Sequence, residues 1–151
     1  MSVKYILYNP LSCNGKGTEL AKKLTDIYKD DELKYCNMTQ ISGYGTFFDS
    51  ISPESDIVLC GGDGTLNRFI NDSDGYPYEN PLYYYGTGSG NDFLRDLGKE
   101  QGCEPVRINE YVRNLPIVTV NGKSSRFINA IGYGIDGYCC ETGDELREKS
   151  D

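Results

Sequence analysis

Residues 60–65 read Cys60-Gly61-Gly62-Asp63-Gly64-Thr65 and follow the apolar run Ile57-Val58-Leu59. A strand that runs into two glycines, a carboxylate, a third glycine and a threonine, then into Leu66-Asn67-Arg68-Phe69-Ile70, has the parts of a phosphate-binding turn. Glycine lets backbone N–H groups approach a phosphate closely, because no Cβ stands between them. Asp63 stands where a carboxylate can hold magnesium or orient an attacking hydroxyl, and Thr65 is placed to cap the helix that follows. The chemistry implied is nucleotide binding and phosphoryl transfer. Histidine is absent from the sequence, so general base work falls to a carboxylate.

Two more junctions of the same kind flank this one. Val3–Tyr8 reads as a buried strand and leads into Asn9-Pro10-Leu11-Ser12-Cys13-Asn14-Gly15-Lys16-Gly17. The spacing of Leu20, Leu24, Ile27 and Tyr28 then predicts a helix over 17–29 with one apolar face. Leu82-Tyr83-Tyr84-Tyr85 leads into Gly86-Thr87-Gly88-Ser89-Gly90-Asn91-Asp92-Phe93-Leu94-Arg95. Neither turn has Walker A or dinucleotide-fingerprint spacing, and any one of the three also reads as a tight strand-to-helix connection. Three of them at the carboxyl ends of successive strands must converge where open α/β sheets bind ligands.

Together, GGDGT at 61–65, Asn9-Pro10 with Gly15-Lys16-Gly17, and GSGNDFLR at 88–95 resemble the diacylglycerol kinase catalytic domain family. That family includes bacterial lipid kinases and sphingosine kinases and is related to NAD kinases and phosphofructokinases. The resemblance spans nearly the whole chain in the family's order. Asn129-Ala130-Ile131-Gly132-Tyr133-Gly134-Ile135-Asp136 is also similar to the segment by which such kinases enter their second domain. NAD kinases share GGDGT but not the GSGNDF turn.

The resemblance implies ATP-dependent phosphorylation of a lipid hydroxyl at a membrane surface, with ATP and Mg2+ as cofactors. It implies that Asn9, Pro10, Ser12, Gly15, Lys16 and Gly17 hold the nucleotide together with Gly61, Gly62, Asp63, Gly64 and Thr65. Thr39 matches a threonine the family uses near the nucleotide, and Ser89, Gly90, Asn91 and Asp92 would add contacts from the third turn. Asp63 would lie closest to the transferred phosphate and is the implied catalytic residue; no metal ligands are assigned. One departure is Arg68, where the family usually has a glutamate; its guanidinium either helps with phosphate charge or pairs with Asp72 at i+4. The other is length: the family's second, β-rich domain supplies a catalytic aspartate and magnesium ligands that nothing here matches. The expectation is the ATP-binding portion of a lipid kinase, inactive as this chain by itself. A catalytically silent nucleotide-binding or regulatory module, an NAD kinase, and an α/β domain whose turns serve only geometry remain as alternatives.

The elements that must position these turns follow from periodicity. Strands near 3–8, 34–38, 56–60 and 82–85 alternate with helices near 17–29, 44–51, 64–72 and 89–97. That alternation predicts a parallel sheet in a three-layer α/β fold over 1–110. Pro105–Ile108 reads as a fifth strand. Ile117–Val120, Asn121-Gly122 and Ser125–Ile128 form a β-hairpin signal that opens a second β-rich domain over 111–151. Its exposed edges would favour a homo-oligomer. Glu141–Asp151, dense in charge, reads as a frayed helix or tail. Tyr83-Tyr84-Tyr85 reads as a strand packing its rings, with a lipid-contacting patch as the other option.

The chain has 151 residues and a net charge of −8, with pI near 4.6. That balance argues against nucleic acid and against a polybasic membrane patch. Phosphate binding must then rely on helix N-termini, magnesium and a few cations such as Lys16. The six cysteines lack zinc-site spacing. Cys36 and Cys60 read as buried, and free thiols suit a reducing cytoplasm. No apolar run is long enough to span a bilayer, so the expected location is cytoplasmic and peripheral to the membrane when active.

Overall fold

The structure, a computed structural model, describes residues 2–131. β1 (Val3–Tyr8) buries Ile6 on one face and Leu7 on the other, as expected of a strand covered on both sides. It continues into a single turn, α1 (Ser12–Gly15), then α2 (Gly17–Lys22) and α3 (Leu24–Ile27). Ala21 and Leu24 pack these helices onto Ile6, Val58, Cys60 and Tyr85. The chain returns through β2 (Glu32–Asn37), a 3-10 turn at Met38–Gln40, α4 (Tyr44–Asp49) and β3 (Asp56–Gly61). Next come α5 (Asp63–Asp72), β4 (Leu82–Gly86), α6 (Asp92–Asp96) and the short β5 (Val106–Arg107).

The sheet order is β2-β1-β3-β4-β5, with the first four strands parallel and β5 antiparallel at the edge. From β1 the chain first builds outward to β2, then jumps back past β1 to add β3 and β4. Right-handed crossovers in opposite directions put helices on opposite faces of a sheet. Leu66, Phe69, Phe93 and Leu94 accordingly cover Leu7, Ile57, Leu59, Leu82 and Tyr84 on the second face. The result is the predicted three-layer α/β architecture, with a topological switch between β1 and β3. Tyr84 is fully buried on one side of β4 while Tyr83 and Tyr85 pack on the other, so the tyrosine run is a strand packing its rings.

Several boundaries differ from expectation. The single helix over 17–29 is two pieces, tightened where Lys23 N bonds to Leu20 O and Asp26 N to Lys23 O; it ends at Ile27, which is exposed. The helix expected from residue 89 starts at Asp92, because Ser89–Asn91 are spent in the turn. Cys60 is buried, but Cys36 is only half-buried because β2 is an outer strand. The hairpin forms a separate sheet of β6 (Ile117–Val120) and β7 (Lys123–Arg126). Its second strand starts two residues before the expected Ser125. Asn121 (φ 50°) and Gly122 (φ 77°) both adopt left-handed conformations, so a two-residue turn closes Val120 directly onto Lys123. Residues 132–136 of the Asn129–Asp136 motif, the Cys139-Cys140 pair and the charged 141–151 stretch lie outside the described residues.

Candidate functional site

Register brings the three turns to one edge. Tyr8 is level with Asn37 on one side and Cys60 on the other, and Gly61 is level with Gly86. The turns after β1, β3 and β4 therefore leave the sheet side by side, at the carboxyl ends flanking the β1/β3 switch. Open α/β sheets bind ligands in this crevice.

The first turn is held largely by itself. Asn9 Oδ1 accepts from Leu11 N at 3.0 Å, and Asn9 O accepts from both Ser12 N and Ser12 Oγ. The Ser12 hydroxyl is thus committed inside the turn that begins at Pro10. Cys13 (φ 55°) and Asn14 (φ 56°) are left-handed and are followed by Gly15 at φ 78°. A non-glycine residue in that region costs on the order of 1–3 kcal/mol, so neighbouring structure must impose it. Cys13 Sγ supplies one such restraint, donating to Thr87 O in the third turn at 3.3 Å. Lys16 is exposed at the start of α2 and pairs with no carboxylate among the described residues.

The second and third turns press together. A Cβ on Gly88 would lie 2.6 Å from Gly62 Cα, and one on Gly62 3.1 Å from Gly88 Cα, so these backbones meet where Gly88 has no room for a side chain and Gly62 little. Thr87 N donates to Gly61 O at 2.8 Å. Across the same contact, Asp63 Oδ2 accepts from Asp92 N at 2.7 Å and Oδ1 from Phe93 N at 3.3 Å. Asp63 therefore caps α6 from another loop, which Asn91, itself left-handed at φ 46°, does not do. Asn91 is buried and its Nδ2 donates to Gly88 O, while its Oδ1 has no donor. Ser89 and Gly90 are exposed; Asp92 pairs with Arg95, which also donates to Gly90 O.

Thr65 corrects an expectation. The residue before α5 is Gly62, which makes no side-chain cap bond, and Thr65 lies buried within the helix. Its side chain occupies the space beside Gly61, where a Cβ would approach Thr65 Oγ1 to 2.5 Å. Gly64 is the contrast: it is exposed, and no atom lies within 4 Å of where its Cβ would stand. It lies in the first turn of α5, a ten-residue helix whose first N–H groups lack intrahelical partners.

Thr39 sits one strand outward, its N and Oγ1 both bonded to Asn37 Oδ1 beside the end of β1. Arg68 Nε pairs with Asp72 Oδ2 at 3.2 Å on the exposed side of α5, the second of the two readings open for it. The sequence reading passed over Cys13 and Thr87, which tie the first turn to the third; their places within the quoted glycine turns were the available signal. Burial pushes the Cys60 thiol up to about 12, even against a Thr87 hydrogen bond, so it is protonated at neutral pH. Among the described residues no three His, Cys, Asp or Glu side chains gather as a metal cage. Asp63 is one carboxylate oxygen donor group at the turns, of the hard kind that magnesium takes.

A parallel sheet with strand-to-helix turns locked together at its switch point defines an α/β domain with a candidate ligand crevice at the carboxyl ends of its strands. The chain matches the diacylglycerol kinase catalytic domain over residues 4–120, and it belongs to that family. No curated protein matches it. Membership makes kinase-type phosphoryl transfer its class of activity. Among the described residues no helix is long and apolar enough to cross a membrane.

Proposed function

We propose that the chain binds ATP at the three turns and belongs to an enzyme passing the γ-phosphoryl group to the hydroxyl of a diacylglycerol-like lipid at a cytoplasmic membrane surface. The observation that carries this is the open ground at Gly64. There the N-terminus of α5 presents unpaired N–H groups beside a carboxylate that backbone bonds hold in place. Backbone N–H groups of Asp63, Gly64 and Thr65 would take phosphate oxygens, with Lys16 adding charge from the first turn. Asn9, Gly15 and Thr39 line the nucleotide's side of the crevice. Ser89 and Gly90 border it from the third turn.

A carboxylate has about four lone-pair positions, and the α6 cap uses two of them. The remaining two let Asp63 orient the acceptor hydroxyl and take its proton. The hydroxyl oxygen bonds to the γ-phosphorus as the bond to the β–γ bridging oxygen breaks, and ADP leaves. Magnesium, when bound beside Asp63, neutralises phosphate charge. Residues 1–110 form the nucleotide-binding unit in this reading, and 111 onward begins a second, β-rich domain. The glycine contacts support a second reading, an α/β domain whose turns serve only geometry, because packing alone accounts for Gly61 and Gly88.

Gly64→Ala separates these roles. Alanine suits a helix better than glycine by up to about 1 kcal/mol and meets no atom here, so the fold is kept. MgATP at about a hundred times its dissociation constant should stabilise the parent chain by about 2.7 kcal/mol, a rise of roughly 5–11 °C in Tm. The rise should vanish in Gly64→Ala. An equal rise in both proteins would remove the α5 N-terminus from the site. Transfer of labelled phosphate to diacylglycerol in micelles then decides between kinase and silent module.

A further inference from the structure

Five arginines fall among the described residues, and three are matched to carboxylates: Arg68 to Asp72, Arg95 to Asp92 and Arg126 to Asp74. The two that are not, Arg107 and Arg113, line one cavity of about 410 Å³, with Asn109, Glu110 and Tyr111 as its other walls. Among the described residues, these two guanidiniums have no carboxylate partner and share one concavity. Both are exposed, and neither makes an ion pair with the Glu110 carboxylate.

The cavity is also built. Asn109 is fixed in the sheet edge: its Oδ1 accepts from Leu82 N at 2.8 Å and its Nδ2 donates to Asn80 O at 3.0 Å. The same Oδ1 accepts from Arg107 Nε at 3.3 Å. That bond orients the Arg107 guanidinium and, among the described residues, leaves both of its terminal nitrogens without a partner. A planar fork presented this way matches two oxygens of a phosphate. Tyr111 is held edge-on to Phe93, ring centroids 6.0 Å apart, and adds an exposed phenol to the wall.

We propose that this cavity is a second phosphate site, recognising a phosphate mono- or diester through Arg107 and Arg113. It is separate from the glycine turns. β5 runs antiparallel to β4 with Arg107 level with Tyr83, and Ile108 N bonds to Leu82 O, so the cavity opens toward the amino end of β4. The turns leave from the carboxyl end. The inference stands whether or not the turns bind ATP. The ester comes either from a soluble compound or from an acidic phospholipid headgroup.

The test uses the full chain. Calorimetric titration with inorganic phosphate should give a saturable heat, weakened about tenfold or more by each of Arg107→Gln and Arg113→Gln, as expected for charge-assisted hydrogen bonds. Glu110→Gln should bind more tightly, a gain that misfolding cannot produce. Sedimentation with phosphatidylcholine vesicles, with and without phosphatidic acid, distinguishes the sources. Capture by the acidic vesicles that the double variant loses assigns a lipid headgroup, whereas phosphate binding without capture assigns a soluble ester. Phosphate and vesicle binding that are both absent, or unchanged in the double variant, would overturn the site. The MgATP response of the double variant should equal that of the parent, so failure here and failure at the glycine turns are told apart.

Discussion

Asp63 serves two purposes with one carboxylate. It takes the Asp92 and Phe93 N–H groups, and in the proposed function it also meets the acceptor hydroxyl. Loss of a helix cap costs about 0.5–2 kcal/mol, so Asp63→Ala should lower stability by that amount even without nucleotide, as read from urea denaturation. An unchanged midpoint would mean that the cross-loop bonds contribute nothing to the fold. Glycines divide in the same way. Gly88→Ala drives a methyl into the Gly62 backbone, where neither chain can yield cheaply, and should cost about 1–3 kcal/mol. Gly64→Ala should cost nothing. Equal stabilities for these two variants would refute the distinction between packing glycines and ligand-facing ones.

At the scale of elements, the hairpin is joined to the helix that bears the GGDGT turn. Asn71, in the last turn of α5, donates through Nδ2 to Arg126 O and accepts at Oδ1 from Arg126 N. Arg126 in turn donates to Asp74 Oδ1 and Leu115 O. A two-stranded hairpin is marginal in water by itself, so β6–β7 depends on this docking. Asn71→Ala removes both amide bonds, worth about 1 kcal/mol each. Hydrogen exchange should then show the 117–126 amides losing protection while β1 and β3 keep theirs. Parallel loss in all strands would show instead that hairpin and sheet open as one unit.

The whole molecule carries a charge cluster at the amino end of its central strands. Burial by itself works against the Lys4 ammonium, but bonds and attraction from Asp56 and Asp31 hold its pKa above the ordinary 10.5. Hydrogen bonds from Ser2, with Lys4 adding attraction, hold the Asp31 carboxyl below 3.8. A raised lysine stabilises below its unfolded pKa, and that contribution fades as pH climbs through the higher folded value. A lowered aspartate stabilises above its unfolded pKa, and that contribution fades as pH falls through the lower folded value. Folding stability should therefore have an acid limb below pH 3.8 that Asp31→Asn flattens and an alkaline limb above pH 10.5 that Lys4→Met flattens. Denaturant midpoints across both limbs check this; limbs that survive the substitutions would place the titration elsewhere.

The sequence by itself determined the strand-to-turn-to-helix junctions, the parallel sheet and the family. Apolar period, β-branched runs and glycine punctuation act between near neighbours and can be read locally. It also exposed nearly every residue of the candidate site, because those residues lie within the turns themselves. What only the tertiary structure decided is which turn meets which. Cys13 meets Thr87 across 74 residues, and Asp63 meets Asp92 and Phe93 across 29 and 30. Strand order and register set those pairings, and no local pattern encodes either one. Thr65 became a packing residue rather than a cap for a local reason: β3 turns into α5 at Gly62, which brings the Thr65 side chain back against Gly61 four residues earlier.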